Sequence, residues 1–278
     1  MRLLISHATR YAYEQPARSI MQVLRMTPRD YDGQHVPRWR IEPSIEGRLS
    51  SGTDHFGNIV HVFCADEPIR EFALHAAGEV ETTDTSGVVH QSVELVPDGC
   101  YLRDTPLTEA DDAIRAFAES RRDRSGNVLS TLHRLMAGVH EALAYDKEPT
   151  GVSTSAAQAF SLGRGVCQDM SHVFIAAARH LGIPARYVSG YVLAPDGIAD
   201  DQQAGHAWSE AKVPYLGWVG FDPTHLTCPS TNHVRVAIGF DYNDAAPVRG
   251  SRRGGGRETM EVRVRVEPVQ EGQTQKQG

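Results

Sequence analysis

Strict alternation dominates the start of the chain. Ile5, His7, Thr9, Tyr11 and Tyr13 fall at every second position, the spacing of one face of a β-strand. The run TDHFGNIVHVF (Thr53–Phe63) sets Gly57-Asn58 between two strand-like stretches and predicts a hairpin turn. EFALHAAGEVETT and SGVVHQSVELVP continue the strand character, and no helical period of useful length precedes Thr108.

The period then changes. TEADDAIRAFAES opens with Thr108 and Asp111 in capping-box spacing and puts Ile114, Phe117 and Ala118 on one helical face. The next stretch sets Val128, Leu132, Leu135, Met136, Val139 and Leu143 three and four apart, predicting a second helix. Ser155 and Gln158 repeat the capping pattern before a short helix. From Val166, the positions Met170, Phe174, Ala177, Ala178 and Leu181 describe a buried stripe that Gly182 and Pro184 terminate. Three strand-like segments follow, ARYVSGYVL, HAWSEAKV and GWVGFDP, separated by the polar loop APDGIADDQQAG and the turn PYLG. TMEVRVRVEPV alternates and reads as a last strand. The expected organisation is a β-rich unit over 1–104, an α+β unit over 105–268 and a disordered polar tail over 269–278, with no internal repeat.

Composition narrows the function classes. A net charge of −7 argues against a nucleic-acid binder, and the one basic cluster, RGSRRGGGR (Arg249–Arg257), is glycine-rich and reads as a mobile loop. No apolar run is long enough for a membrane span, and MRLLISHATRYAYEQ lacks the apolar core of a secretory signal, so the expected compartment is the cytoplasm. The four cysteines, Cys64, Cys100, Cys167 and Cys228, form no C-x-x-C pair and no disulfide framework. Thirteen histidines show no metal-binding spacing, so no metal or other cofactor is expected.

One of those cysteines is placed for chemistry. In GRGVCQDMSH a glycine ramp delivers Cys167 to the start of the predicted helix. There the helix dipole and unpaired N–H groups favour a thiolate and can stabilise an oxyanion on a carbonyl under attack. The ramp glycine Gly165 would leave substrate room to approach. A nucleophilic thiol needs a base, and the base needs an orienter. His206 heads HAWSEAKV, and Asp222 ends GWVGFDP; a hairpin through PYLG brings these outer ends together as a Cys167-His206-Asp222 triad.

The segments LGRGVCQDMSHVFIAAARHLGIPARYVSGYV and AGHAWSEAKVPYLGWVGFDPTH closely resemble the transglutaminase-like superfamily, and in particular its bacterial two-domain candidate cysteine proteases. HATRYAYEQP and DHFGNIVHVF resemble that group's β-rich N-terminal domain. The stretch VAIGFDYNDAAPVRG resembles a later signature that usually has a charged residue where Phe240 stands, a departure bearing on a surface or substrate contact. The resemblance implies an α+β fold: a sandwich-like β domain, then a papain-like core with a cysteine-bearing helix on an antiparallel sheet bearing histidine and aspartate. It also implies acyl transfer through a thioester on a peptide or glutamine amide, with a peptide or protein as partner.

Other residues admit two readings. Asp169 either closes the helix's first turn or pairs with Arg186. Trp208 and Trp218 either wall a substrate groove or fill the core. Gln158 is explained by capping alone, and His172 lies about 140° around the helix from Cys167. The rivals to an enzyme are a catalytically silent peptide-binding module and a scaffold with a merely buried Cys167. Calcium has no loop of recognisable spacing.

Overall fold

The computed structural model describes residues 1–148, 150–193 and 205–269. The expected tail from residue 270 onward, and all of the polar loop except Gly205, lie outside them. Strand β1 (Arg2–Thr27) carries the alternation read from the sequence, with Leu3, Ile5, His7, Thr9, Tyr11 and Tyr13 all buried on one face. Strands β2 (Gln34–Pro43), β3 (Arg48–Thr53), β4 (Ile59–Ala65) and β5 (Ile69–Thr82) complete an antiparallel path in the order β2-β5-β1-β4-β3. β1 changes partner midway: β5 pairs with it mainly over Arg2–Ala12 and β4 over Ile20–Thr27. Pro16, which has no N–H to give, lies in the irregular stretch between. Tyr11 and Tyr13 from one half of β1 share a cluster with Ile20, Leu24 and Met26 from the other, together with Phe63 and Phe72. This is the sandwich-like arrangement the resemblance implied.

β3 and β4 form the expected hairpin around Gly57, whose φ is +86°. Its loop is five residues, because the Asp54 carboxylate accepts the N–H groups of Phe56 and Asn58 and the Asn58 side-chain amide.

SGVVHQSVELVP yields only the two-residue strand β6 (Val88–Val89), which pairs with the second sheet rather than the first. Helix α1 (Asp112–Arg121) starts later than the Thr108 spacing suggested. Asp111 is its N-cap, while Thr108 is buried and accepts a hydrogen bond from Arg179 at 2.7 Å. Helix α2 (Val128–Ala142) buries Leu132, Leu135, Met136 and Val139 as its spacing predicts. After β7 (Ala144–Tyr145) comes α3 (Ala156–Leu162) with its full Ser155–Gln158 capping box. β8 (Arg164–Gly165) then leads into α4 (Cys167–His180). α4 is the central helix, buried among α1, α2, α3 and the second sheet. That sheet runs β12-β9-β10-β11-β6, from β9 (Ala185–Val192), β10 (His206–Val213), β11 (Gly217–Phe221) and β12 (His233–Gly239), all antiparallel.

β12 is the edge strand, and the first sheet protects it with side-chain amides rather than with a strand. Gln34 exchanges two hydrogen bonds of 2.8 Å with the backbone of Arg235, and Asn58 exchanges bonds of 2.8 and 2.9 Å with Ile238. Leu3, Ile5 and Val80 pack there against Tyr191, Val234 and Val236, and Tyr191 hydrogen-bonds His7 at 3.0 Å.

After the short α5 (Tyr242–Ala245), the chain returns to the first sheet. β13 (Val248–Gly254) and β14 (Glu258–Pro268) pair with the two halves of β1. This corrects the assignment of residues up to 268 to the second unit. It also corrects the reading of Arg249–Arg257 as a loop: this basic stretch runs antiparallel along β1, and Gly254, Gly255 and Gly256, all at positive φ, carry it past the irregular part of β1 into β14, with Gln15 and Glu14 donating their N–H groups to the carbonyls of Gly255 and Arg257.

Candidate active site

The glycine ramp has a different purpose from the one its flexibility suggested. Gly163 caps α3 in the left-handed conformation, at φ 65°. Gly165 is buried, and a Cβ there would lie 2.6 Å from Oδ2 of Asp169. It makes room for that carboxylate. Asp169 Oδ2 accepts the Val166 N–H at 2.8 Å and the Thr150 hydroxyl at 2.8 Å. Of its two readings, the turn-closing one is what forms; burial pushes the carboxyl up while these two bonds oppose the shift. The residue before the thiol is thereby fixed, and Cys167 becomes the first residue of α4. Ser171 Oγ donates to the Cys167 carbonyl at 2.8 Å, and Ser209 of β10 donates to the Ser171 carbonyl at 3.2 Å, tying helix to sheet.

The β10–β11 hairpin forms through the predicted turn, with Ser209 opposite Phe221. This register brings His206 and Asp222 to the same end, where His206 Nε2 meets Asp222 Oδ2 at 2.7 Å. The Cys167 side chain lies close enough to His206 for its sulfur to raise the imidazole's pKa. With Nε2 on the carboxylate, Nδ1 is the nitrogen left for the sulfur. Burial would lower the imidazole's pKa, but Asp222 and the Cys167 sulfur together push it up to about 10. Asp222 is fully buried, which would raise it, yet its three histidine partners, His206 foremost, hold it well below the ordinary carboxylate range. The structure thus brings Cys167, His206 and Asp222 together.

Two histidines join them that sequence reasoning did not place there. His225 Nδ1 meets Asp222 Oδ2 at 2.7 Å, and His233 Nε2 meets the same oxygen at 3.2 Å. Oδ1 accepts the N–H groups of Thr224 and His225 at 2.9 and 3.2 Å. An ionised carboxylate only accepts, so the facing nitrogens donate. His233 Nδ1 in turn accepts the Ser230 N–H at 3.2 Å, and burial lowers this imidazole's pKa. The four side chains set one nitrogen or oxygen each within 4.8 Å of one another, a constellation able to hold a metal ion. The expectation of no metal spacing was drawn from local sequence, whereas these ligands come from β10, the turn after β11, and β12. Tyr145 was also missed: exposed, it lies close enough to Cys167 for burial and the sulfur to push its hydroxyl up.

Both tryptophans are core residues. Trp208 and Trp218 are each 2% exposed and share a cluster with Phe56, Tyr101, Val188 and Ile238. Trp208 backs the site, its ring 6.0 Å from that of His206 and 5.4 Å from that of His233. Trp218 lies under the Arg186 guanidinium, 4.0 Å from its ring centre. Arg186 itself pairs with Glu210 at 2.6 Å and Glu94 at 2.6 and 3.0 Å, not with Asp169. Phe240, where the resemblance expected a charge, packs its ring on Phe56 and Tyr101. His172 is fully buried with Nε2 on the Tyr242 N–H, consistent with no role at the thiol.

Residues 115–223 match the transglutaminase-like superfamily, and residues 3–81 match the bacterial transglutaminase-like N-terminal region. The chain belongs to the transglutaminase-like superfamily. A crystal structure described as a candidate cysteine protease from Cytophaga hutchinsonii superposes with a TM-score of 0.78 at 23% identity, covering 99% of this chain and 92% of that one. This shows the shared fold. An uncharacterized protein of Mycobacterium leprae is 29% identical over 95% of this chain and 98% of its own length. Another, from Mycobacterium tuberculosis, is 28% identical over 90% and 87%.

Proposed function

We propose that this chain is a thiol-dependent acyl-transfer enzyme acting on a peptide or glutamine amide, with Cys167 as nucleophile, His206 as acid and base, and Asp222 as the group that orients and charges His206. The observation that carries this is a buried imidazole that meets a buried carboxylate at 2.7 Å and is raised by the sulfur of a cysteine at a helix start. The sulfur adds to the amide carbonyl carbon, and its N–H-lined helix start faces the charge that develops on oxygen. His206 passes a proton to the leaving nitrogen as the C–N bond breaks, leaving a thioester on Cys167. Water then gives a protease or amidase; an amine gives a transferase. His206 takes the incoming nucleophile's proton in either case. Four free thiols suit a reducing compartment, and we place the enzyme in the cytoplasm. Among the described residues no helix is long and apolar enough to cross a membrane.

The test is iodoacetamide alkylation at neutral pH, read by peptide mass spectrometry at all four cysteines. Cys167 should react fastest, and His206→Ala should slow it by about tenfold or more while Cys100, exposed and remote from the triad, is unchanged. If Cys167 reacts no faster than Cys64 and ignores both His206→Ala and Asp222→Asn, the enzymatic reading fails and a silent peptide-binding module takes its place.

A further inference from the structure

We propose that His206, Asp222, His225 and His233 form a binding site for one divalent transition ion of the zinc class, and that the bound ion switches the thiol site off. The second half rests on the acyl-transfer reading; the first does not. The four donor atoms, His206 Nε2, Asp222 Oδ2, His225 Nδ1 and His233 Nε2, already converge, all within 4.8 Å of one another. Tetrahedral zinc with bonds of about 2.0–2.1 Å sets its ligand atoms roughly 3.3 Å apart. The nitrogens stand 2.7, 2.7 and 3.2 Å from Asp222 Oδ2, so an ion enters by small outward shifts of side chains. Three imidazoles and one carboxylate suit zinc, cobalt or nickel rather than magnesium or calcium.

The surroundings support the same occupant. Asp222 Oδ1 stays held by the Thr224 and His225 N–H groups, which would fix the carboxylate as a ligand. His225 is exposed and gives the ion a way in. His225 and His233 both lie beyond residues 115–223, the stretch that matches the superfamily. Binding displaces the ring protons that now face Asp222. For His206 and His225 the proton moves to the other nitrogen or to water. For His233 it must move to Nδ1, which costs the 3.2 Å bond from the Ser230 N–H. His225 is therefore the ligand whose removal reads most cleanly. With Nε2 on a cation, His206 no longer answers to Asp222, and the thiol loses its charged partner.

The experiment titrates the metal-stripped full chain with zinc chloride by calorimetry, and with cobalt(II) by visible absorption. One equivalent should bind, with the intense bands of tetrahedral cobalt. His225→Ala should weaken binding by at least about tenfold, and His225→Gln, with its melting temperature as a fold control, should do the same. Cys167→Ser should leave binding intact. Zinc should slow alkylation of Cys167, and EDTA should restore it. No saturable binding overturns the site, as does binding lost in Cys167→Ser and unchanged in His225→Ala. Binding with unaltered alkylation overturns the switch. A protein that binds zinc but whose metal-free Cys167 is inert would sink the acyl-transfer reading and keep the site; a reactive Cys167 in a protein indifferent to zinc would do the reverse.

Discussion

Asp169 folds back over its own turn to accept the Val166 N–H at 2.8 Å, so a carboxylate two residues after Cys167 fixes the residue before it. Gly165 clears the space that this carboxylate fills. Asp169→Ala should cost about 1 kcal/mol in urea unfolding, as loss of an N-terminal cap does, and should slow alkylation of Cys167. Asp169→Asn keeps an acceptor for Val166 and should recover most of both. Gly165→Ala should mimic Asp169→Ala, because its Cβ would displace the same carboxylate. A Gly165→Ala protein with unchanged reactivity would show that the cap does not set the thiol.

The Arg186–Glu210 pair is fully buried, and Arg235 reaches the same carboxylate at 2.8 Å. Burial opposes ionisation of Glu210, yet Arg235 and Arg186 pull it down to about 2. Removing one partner leaves buried charge without an answer. Glu210→Gln should therefore lower stability by about 3–5 kcal/mol. Asp98→Ala, which breaks the half-exposed pair with Lys212, should cost less than about 1 kcal/mol. Chemical denaturation of the two variants compares them directly, and similar losses would mean that Glu210 is better solvated than its burial indicates.

Asn58→Ala would remove both hydrogen bonds to Ile238 and leave that N–H and carbonyl without their partner in the joint between the sheets. Each orphaned group costs about 1–3 kcal/mol. Hydrogen exchange should show the Ile238 amide losing protection, while Ala207 in the sheet interior keeps its own. Equal protection of the Ile238 amide in wild type and Asn58→Ala would indicate that β12 does not depend on the first sheet for its edge.

Local periodicity made the helices and the strands β9 to β11 legible, because each buries one face at its own period, as Leu132, Leu135 and Val139 do on α2. The meeting of His206 with Asp222 was legible because a hairpin of known turn joins their strands. What was not legible depends on tertiary placement. Nothing local reveals that β13 and β14 return to β1, since an alternating strand carries no mark of its partner. His225 and His233 carry no local signal either, for they converge only once β12 is seated. Trp208 and Trp218 sit on strands with the same pattern whether they face a groove or a core, and only burial decides it.

Acid should destabilise the fold through its buried histidines as soon as pH falls below 6.5. Burial lowers His7 from 6.5 to about 4 and His172 from 6.5 to about 3. Below pH 6.5 the unfolded chain binds protons at both positions while the native state does not. The stability they contribute is whole above pH 6.5 and is lost as pH falls toward 4 for His7 and toward 3 for His172. His206, pushed up to about 10, is charged in both states below 6.5 and adds no slope there. Each neutral buried histidine contributes about 1.4 kcal/mol per pH unit near pH 5. His7→Gln keeps a polar group for the Tyr191 hydroxyl, which lies 3.0 Å from Nδ1. Urea unfolding at pH 7, 6 and 5 should give the variant a shallower loss than wild type by about that amount per unit. Parallel curves would place a charged or water-linked His7 in the native joint between the two sheets.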